Sequence, residues 1–251
     1  MRWLNRAVTI GLLGTWALSA AASIRGQQPN AATTRREQSP SQPEVLRRPG
    51  MGAVVGRVTY VADTKRPWRL GRYYLGSRGQ LSEAVVALHR RGLTGPQAER
   101  PSETVTVDQK NFQFIPETVA IRVGDRVQYL NSDRQNHNVR TPHPRHEFNV
   151  TLPPGGKHVE TFPAAGGIRQ PFRVGCAFHS AMRSWVFVFD HPWFHVTGAD
   201  GVVQLWNVPP GEYRLEVFHP AGELRLRRTV VVKADQTLAV DVQLSPDDLA
   251  R

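Results

Sequence analysis

The sequence predicts an all-β protein, and three observations carry that expectation. Short alternating apolar runs bounded by Gly and Pro dominate, as strands between turns require. The 251 residues include 21 Gly and 19 Pro, the turn-forming residues of a many-stranded chain. Apolar spacing of the helical kind is scarce. The length suits one or two domains. With 21% charged and 40% hydrophobic residues, the composition is ordinary for a globular protein and too polar for a bundle of membrane helices.

The first residues read as an export signal over 1–22. Arg2 and Arg6 charge the start, an apolar stretch runs from Ala7 to about Leu18, and Ser19-Ala20-Ala21-Ala22 offers a cleavage site. The apolar stretch is shorter than the roughly 20 residues that span a bilayer, so no membrane span is expected after signal removal. Residues 23–50 read as a disordered linker rich in Gln, Pro, Ser, Thr and Arg. The formal charge is +11, and losing the two signal arginines leaves about +9. In a periplasmic, secreted or envelope protein this excess points to an acidic protein partner or an anionic surface. No nucleic-acid motif is present, and no nucleic-acid partner is expected.

The chain has a single cysteine, so it can form no internal disulfide and the thiol needs another explanation. A buried Cys acting as a small hydrophobe is the plain alternative. Its setting argues for more: Cys176-Ala177-Phe178-His179-Ser180-Ala181-Met182 places a His three residues on and one of only three methionines six residues on. Copper chemistry explains these residue types. A thiolate stabilises Cu(I), imidazole suits both oxidation states, and a weak thioether tunes the couple. A site that has lost its metal, or one for another metal, remains the alternative. One more imidazole must come from a neighbouring strand.

His137 is the candidate, 39 residues before Cys176, in Gly124-Asp125-Arg126-Val127 through Asn131 to His137-Asn138-Val139. With Phe112-x-Phe114-x-Pro116 upstream and Trp185-Val186-Phe187-Val188-Phe189 as a closing strand, residues 101–190 resemble the cupredoxin (type 1 blue copper) family. The Cys-x2-His-x2-Met spacing is similar to that of the amicyanins within the amicyanin and plastocyanin-like group, although Phe178 and Ser180 replace the Pro usual beside the second His. The resemblance implies a Greek-key β-barrel and one type 1 copper on His137, Cys176, His179 and axial Met182. It also implies a supporting role for Asn138 beside the thiolate. The implied function is one-electron transfer to or from a redox partner such as a c-type cytochrome or periplasmic dehydrogenase. Electrons would pass through His179, inside an apolar rim of Phe178, Ala181 and Pro142. The alternative is a non-catalytic copper-binding or envelope adhesion module.

An enzyme is not expected. Multicopper oxidases and copper nitrite reductases need further His-rich patterns, and covalent haem needs Cys-x-x-Cys-His, all absent here. His143 and His146 in Thr141-Pro142-His143-Pro144-Arg145-His146 read as a solvated basic loop, since only Glu147 lies nearby as a carboxylate. His191 and His195 read as a packed junction after the last barrel strand.

Residues 196–244 read as several strands of a small β-sandwich. Asp200-Gly201 followed by Pro209-Pro210-Gly211-Glu212-Tyr213 resembles the carboxypeptidase regulatory-like (prealbumin-like) domain. The opening strands of that pattern lie far upstream, in Gly52–Tyr60 and Ala84–Leu88. Residues 52–92 and 196–244 are therefore expected to form one sandwich, split by insertion of the barrel, because a tail this short is marginal alone. Lys65–Tyr74 reads as a basic aromatic surface insertion between the first two strands.

Overall fold

Strict alternation of buried and exposed residues along Thr237–Leu244 makes this segment a strand with one wet face, as period-two side-chain geometry requires. The computed structural model describes residues 47–63, 65–68, 70–95 and 101–249. The expected export signal and all but the last four residues of the expected linker lie outside them. Strand β1 (Gly52–Tyr60), the single helical turn α1 (Gly71–Tyr74) and β2 (Val85–His89) come first. Nine strands follow: β3 (Thr104–Lys110), β4 (Gln113–Ile115), β5 (Thr118–Arg122), β6 (Arg126–Asn131), β7 (His137–His143), β8 (His146–Leu152), β9 (Lys157–Thr161), β10 (Phe172–Gly175) and β11 (Arg183–Phe189). The last five are β12 (Phe194–Val196), β13 (Val202–Val208), β14 (Gly211–His219), β15 (Leu224–Val232) and β16 (Thr237–Leu244). The protein is all-β, with α1 and two 3-10 turns as its described helical elements. Among the described residues, no helix is long and apolar enough to cross a membrane.

The strands form four sheets. Two of them, ordered β5-β11-β10-β7-β8 and β4-β3-β6-β9, enclose a core that includes Tyr129, Val139, Phe162, Phe172 and Val186. The other two, β13-β1-β16 and β12-β2-β14-β15, draw strands from both sides of residues 101–190. β1 runs parallel to β16 from Ala53↔Thr237 to Tyr60↔Leu244 and antiparallel to β13. β2 lies between β12 and β14. One continuous core joins Val54, Val58, Val86 and Leu88 to Leu205, Leu215 and Val240. Gly56 is required where β1 passes β16, because a Cβ there would stand 1.9 Å from the Val240 carbonyl oxygen.

The two sandwiches are back to back. Val186 and Val188 of β11 face the first core, whereas Phe187 and Phe189 face Val85 and Ala87 of β2. Burial on both faces explains why Trp185–Phe189 is a continuous apolar run instead of an alternating one. The basic aromatic segment expected as a surface insertion behaves differently. Tyr74 is buried and Trp68 packs beside it, both against the His219 ring, so these aromatics close one end of the second core. Only Tyr73 of this group is largely exposed.

His219 and His191 give this packing a pH dependence. Burial holds both imidazoles down, from 6.5 to about 4. His219 Nδ1 accepts from the Gly222 amide at 2.9 Å, and His191 Nδ1 accepts from Trp193 at 3.2 Å, so both rings sit neutral. A lowered histidine pKa contributes stability above 6.5 that is lost as pH falls towards 4. Each such shift is worth on the order of 3 kcal/mol. The urea midpoint should therefore fall steeply between pH 6.5 and 4, and less steeply in His219→Gln. Equal slopes in the two proteins would contradict this assignment.

Candidate metal centre

The centre forms where β7 begins and β10 ends. Asn131, buried at the end of β6, ties the intervening loop down: its Nδ2 donates to Gln135 O and Leu152 O, both at 2.9 Å. His137 follows as the first residue of β7 and is fully buried. Cys176 leaves β10 after Gly175, which is in register with Arg140 of β7. Sulfur and imidazole thus meet because the two strands are neighbours.

His137 Nδ1 lies 3.1 Å from His179 Nδ1, and Cys176 Sγ lies 3.6 Å from the same His179 nitrogen. Among the described residues, these three are the one group of His, Cys, Asp or Glu whose ligand atoms all fall within 4.8 Å of one another. Donors bound at 2.0–2.3 Å around a tetrahedral ion stand roughly 3.3–3.8 Å apart, so the spacing fits one metal ion. A soft thiolate with two imidazoles is a donor set for copper or zinc. Met182 is buried in the same core as Cys176, and the loop is closed by Cys176 N–H to Met182 O (3.3 Å) and Met182 N–H to His179 O (3.0 Å).

Asn138 links the two halves of the site. Its amide N–H donates to Cys176 Sγ at 3.3 Å, and its side-chain oxygen accepts from the Ala177 amide at 3.2 Å. Its Nδ2 donates to Val150 O at 3.2 Å, and its carbonyl accepts from Gln109 Nε2 at 3.1 Å. The N–H contact to sulfur helps to hold the Cys176 side chain in place.

Two further residues of the site escape the sequence motif. Asp133 Oδ2 stands 2.8 Å from His137 Nε2. An Nε2–H donated to that carboxylate would leave His137 Nδ1 free to face the centre as a lone pair. Asp133 is itself fixed by the Asn111 amide at 2.7 Å and the Phe112 amide at 2.9 Å. Burial would raise its carboxyl pKa, but those two amides and the His137 ring outweigh it and hold the carboxyl below its usual range.

Asn111 and Phe112 form the two-residue turn between β3 and β4, and both have positive φ, 55° and 58°. Such a turn accepts Asn readily, whereas a left-handed Phe costs on the order of 1–3 kcal/mol. The Asp133 carboxylate holds it there. As a result the Phe112 ring stands edge-on to both imidazoles, its centroid 5.5 Å from that of His137 and 4.9 Å from that of His179. Asp133→Asn should weaken metal binding about 10- to 100-fold, the usual loss when a ligand imidazole loses its supporting carboxylate. A chelator-competition titration measures this, and unchanged affinity would refute the role of Asp133.

The remaining histidines lie elsewhere. His143 packs on Phe172, and His191 and His195 belong to the junction with the second sandwich. Phe178 and Phe112, 56% and 46% exposed, border the partly exposed His179. Pro142 and Ala181 are exposed as well.

No protein-family model matches the chain, and no curated protein matches it. Solved structures similar to part of it include amicyanin from Paracoccus versutus, at 21% identity over 41% of this chain and 97% of that one, with a TM-score of 0.32. A reduced amicyanin variant gives 21% identity over 41% and 98%, with a TM-score of 0.32. The copper-containing nitrite reductase of Thermus scotoductus SA-01 gives 22% identity, a TM-score of 0.33 and 40% of this chain. The chain spans 25% of that reductase's length. These likenesses are partial, and the chemistry of the centre rests on its own geometry.

Proposed function

We propose that this protein is an exported one-electron carrier with a single type 1 copper, held by His137, Cys176 and His179 with Met182 as a weak axial ligand. The observation that carries this reading is the convergence of His137 Nδ1, His179 Nδ1 and Cys176 Sγ within 4.8 Å in a buried, hydrogen-bonded frame. Bound copper would supply a reversible Cu(I)/Cu(II) couple, which thiolate and imidazole donors serve in both states. The chain's own residues hold the donors still. Asn138 fixes the sulfur, Asp133 fixes His137, and β7 and β10 keep the two donor groups at one spacing. Little donor movement between oxidation states means little reorganisation, which suits electron exchange.

His179 is the port for the electron, since it is partly exposed while His137 is buried. Phe178, Phe112 and Ala181 form an apolar rim on which a partner can seat, whereas Pro142, expected there, lies five residues along β7 from His137, opposite Glu147. The excess of basic residues selects an acidic partner, such as a c-type cytochrome or a periplasmic dehydrogenase. Cleavage after Ala22 would release the chain outside the cytoplasm. In the same reading, residues 101–190 are a cupredoxin domain inserted into a loop of a carboxypeptidase regulatory-like sandwich built from 52–92 and 196–244. The parallel pairing of β1 with β16 and the shared core support that division.

The test is the visible spectrum of the mature protein titrated with Cu(II). An intense blue or green thiolate-to-copper band should saturate at one copper per chain, and a colourless copper-loaded protein would overturn the reading. His137→Ala and His179→Ala should lower copper affinity severely. Met182→Leu should keep copper and shift the potential, because the axial ligand tunes more than it binds. Equal loss of copper in all three variants would contradict these roles.

A further inference from the structure

A second cluster of donor atoms lies at the seam of the first sandwich, where β8 and β9 are the edge strands of the two sheets. His146 opens β8. His158 and Glu160 are two residues apart on β9 and so share a face of that strand. Glu160 reaches both rings: Oε1 is 3.5 Å from His146 Nε2, and Oε2 is 3.6 Å from His158 Nε2. These spacings are too long for charge-assisted hydrogen bonds, which run about 2.7–2.9 Å. They are close to the roughly 3.4 Å that separates two donors sharing one tetrahedral ion.

Both Nε2 atoms are buried and have no hydrogen-bond partner. Aromatic rings hold them in place: His146 packs on Phe148 and Phe162, and His158 on Phe148. Tyr129, in register with His158 across β6 and β9, contributes a third buried and unpartnered polar atom, its hydroxyl. Native interiors rarely leave so many polar atoms orphaned in one place without a ligand to satisfy them. The side chains of His146, His158 and Glu160 are still 22%, 25% and 16% exposed, so an ion can enter from solvent.

We propose that His146, His158 and Glu160 form a second metal site, separate from the cysteine centre, for a borderline divalent ion of the Zn²⁺ type. Two imidazole nitrogens and one carboxylate, with no thiolate, make a zinc donor set and a poor one for Cu(I). The trio is more open than the Cys176 group, so binding an ion requires the two rings as well as the Glu160 side chain to move inward. An ion there clips β8 to β9, joining two sheet edges that otherwise have no ladder between them.

The experiment is equilibrium dialysis of Zn²⁺ against full-length protein whose first centre is removed by Cys176→Ser and His179→Ala, so its outcome does not depend on the copper reading. One zinc per chain is expected, with a rise in the thermal midpoint on loading. In that background, His158→Ala and the near-isosteric Glu160→Gln should each lower zinc affinity by more than the roughly 10- to 100-fold that loss of a supporting contact costs. His143→Ala should leave the affinity unchanged. Imidazole nitrogen resonances of His146 and His158 should shift together on zinc addition. No bound zinc, or binding that survives both His158→Ala and Glu160→Gln, would overturn the proposal.

Discussion

Cys176→Ser should leave the protein folded but without any intense visible band when Cu(II) is added. Cys176 is the chain's only cysteine, so no other sulfur can form the thiolate bond that gives rise to the band. A serine fits the same place. The side chain is small and buried, and the Asn138 amide that donates to sulfur at 3.3 Å can donate to a hydroxyl instead. The fold should therefore survive within about 1–2 kcal/mol, as for a modest core substitution. His137 and His179 remain 3.1 Å apart, so weak Cu(II) binding through imidazole alone is expected, with pale colour. Absorption and electron paramagnetic resonance spectra at matched copper loading make the comparison. An undiminished band in the variant would show that the sulfur is not a ligand.

The second large effect concerns the chain's two ends. A polypeptide of residues 196–244 alone should not fold. β1 lies between β13 and β16, so its loss leaves these two with no ladder partner in their sheet, and loss of β2 strips one side of β14. The core would lose Val54, Val58, Tyr60, Leu81, Val86 and Leu88, all buried. At about 1.5–3 kcal/mol for each large apolar side chain, that is on the order of 10 kcal/mol, comparable with the whole stability of a typical domain. Joining residues 47–92 to 196–249 through a short Gly/Ser linker should restore a folded unit. Val196 stands opposite Val85 at the start of β2, so the linker runs back along that strand, a span on the order of 20 Å whose closure costs little entropy. Circular dichroism melts decide the matter, and a cooperative transition in the isolated tail would refute the scheme.

The parts of the site carried by rare residues in one loop were legible in the sequence. Cys176, His179 and Met182 stand out because few positions in the chain have those types, and His137 follows from the Asn131 and His137-Asn138-Val139 pattern. Asp133 and Phe112 were not legible, because their roles depend on a left-handed phenylalanine that local preferences disfavour. Glu160 was missed as a partner of His146 for a different reason. The two meet across the seam between edge strands of separate sheets, where no hydrogen-bond register links one sequence to the other. Among the strands, the apolar run Trp185–Phe189 was readable, but the partner of its second face was not. A continuous apolar run says that both faces are buried and is silent on what buries them.

The parallel pairing of β1 with β16 also fixes an order of events. Arg57 and Asp241, joined in register, are 184 residues apart in sequence. At about 5–20 residues per second, the ribosome takes roughly 10–40 s to deliver the second after the first. Throughout that interval β1 is an apolar strand with no parallel neighbour, while residues 101–190, whose ladders are all internal, can already close. Residues 101–190 can therefore close before the second sandwich, whose sheets need strands made later. Until β16 is made, Gly52–Tyr60 lacks its parallel partner, and pairing across 184 residues is the kind of long-range closure that slows folding.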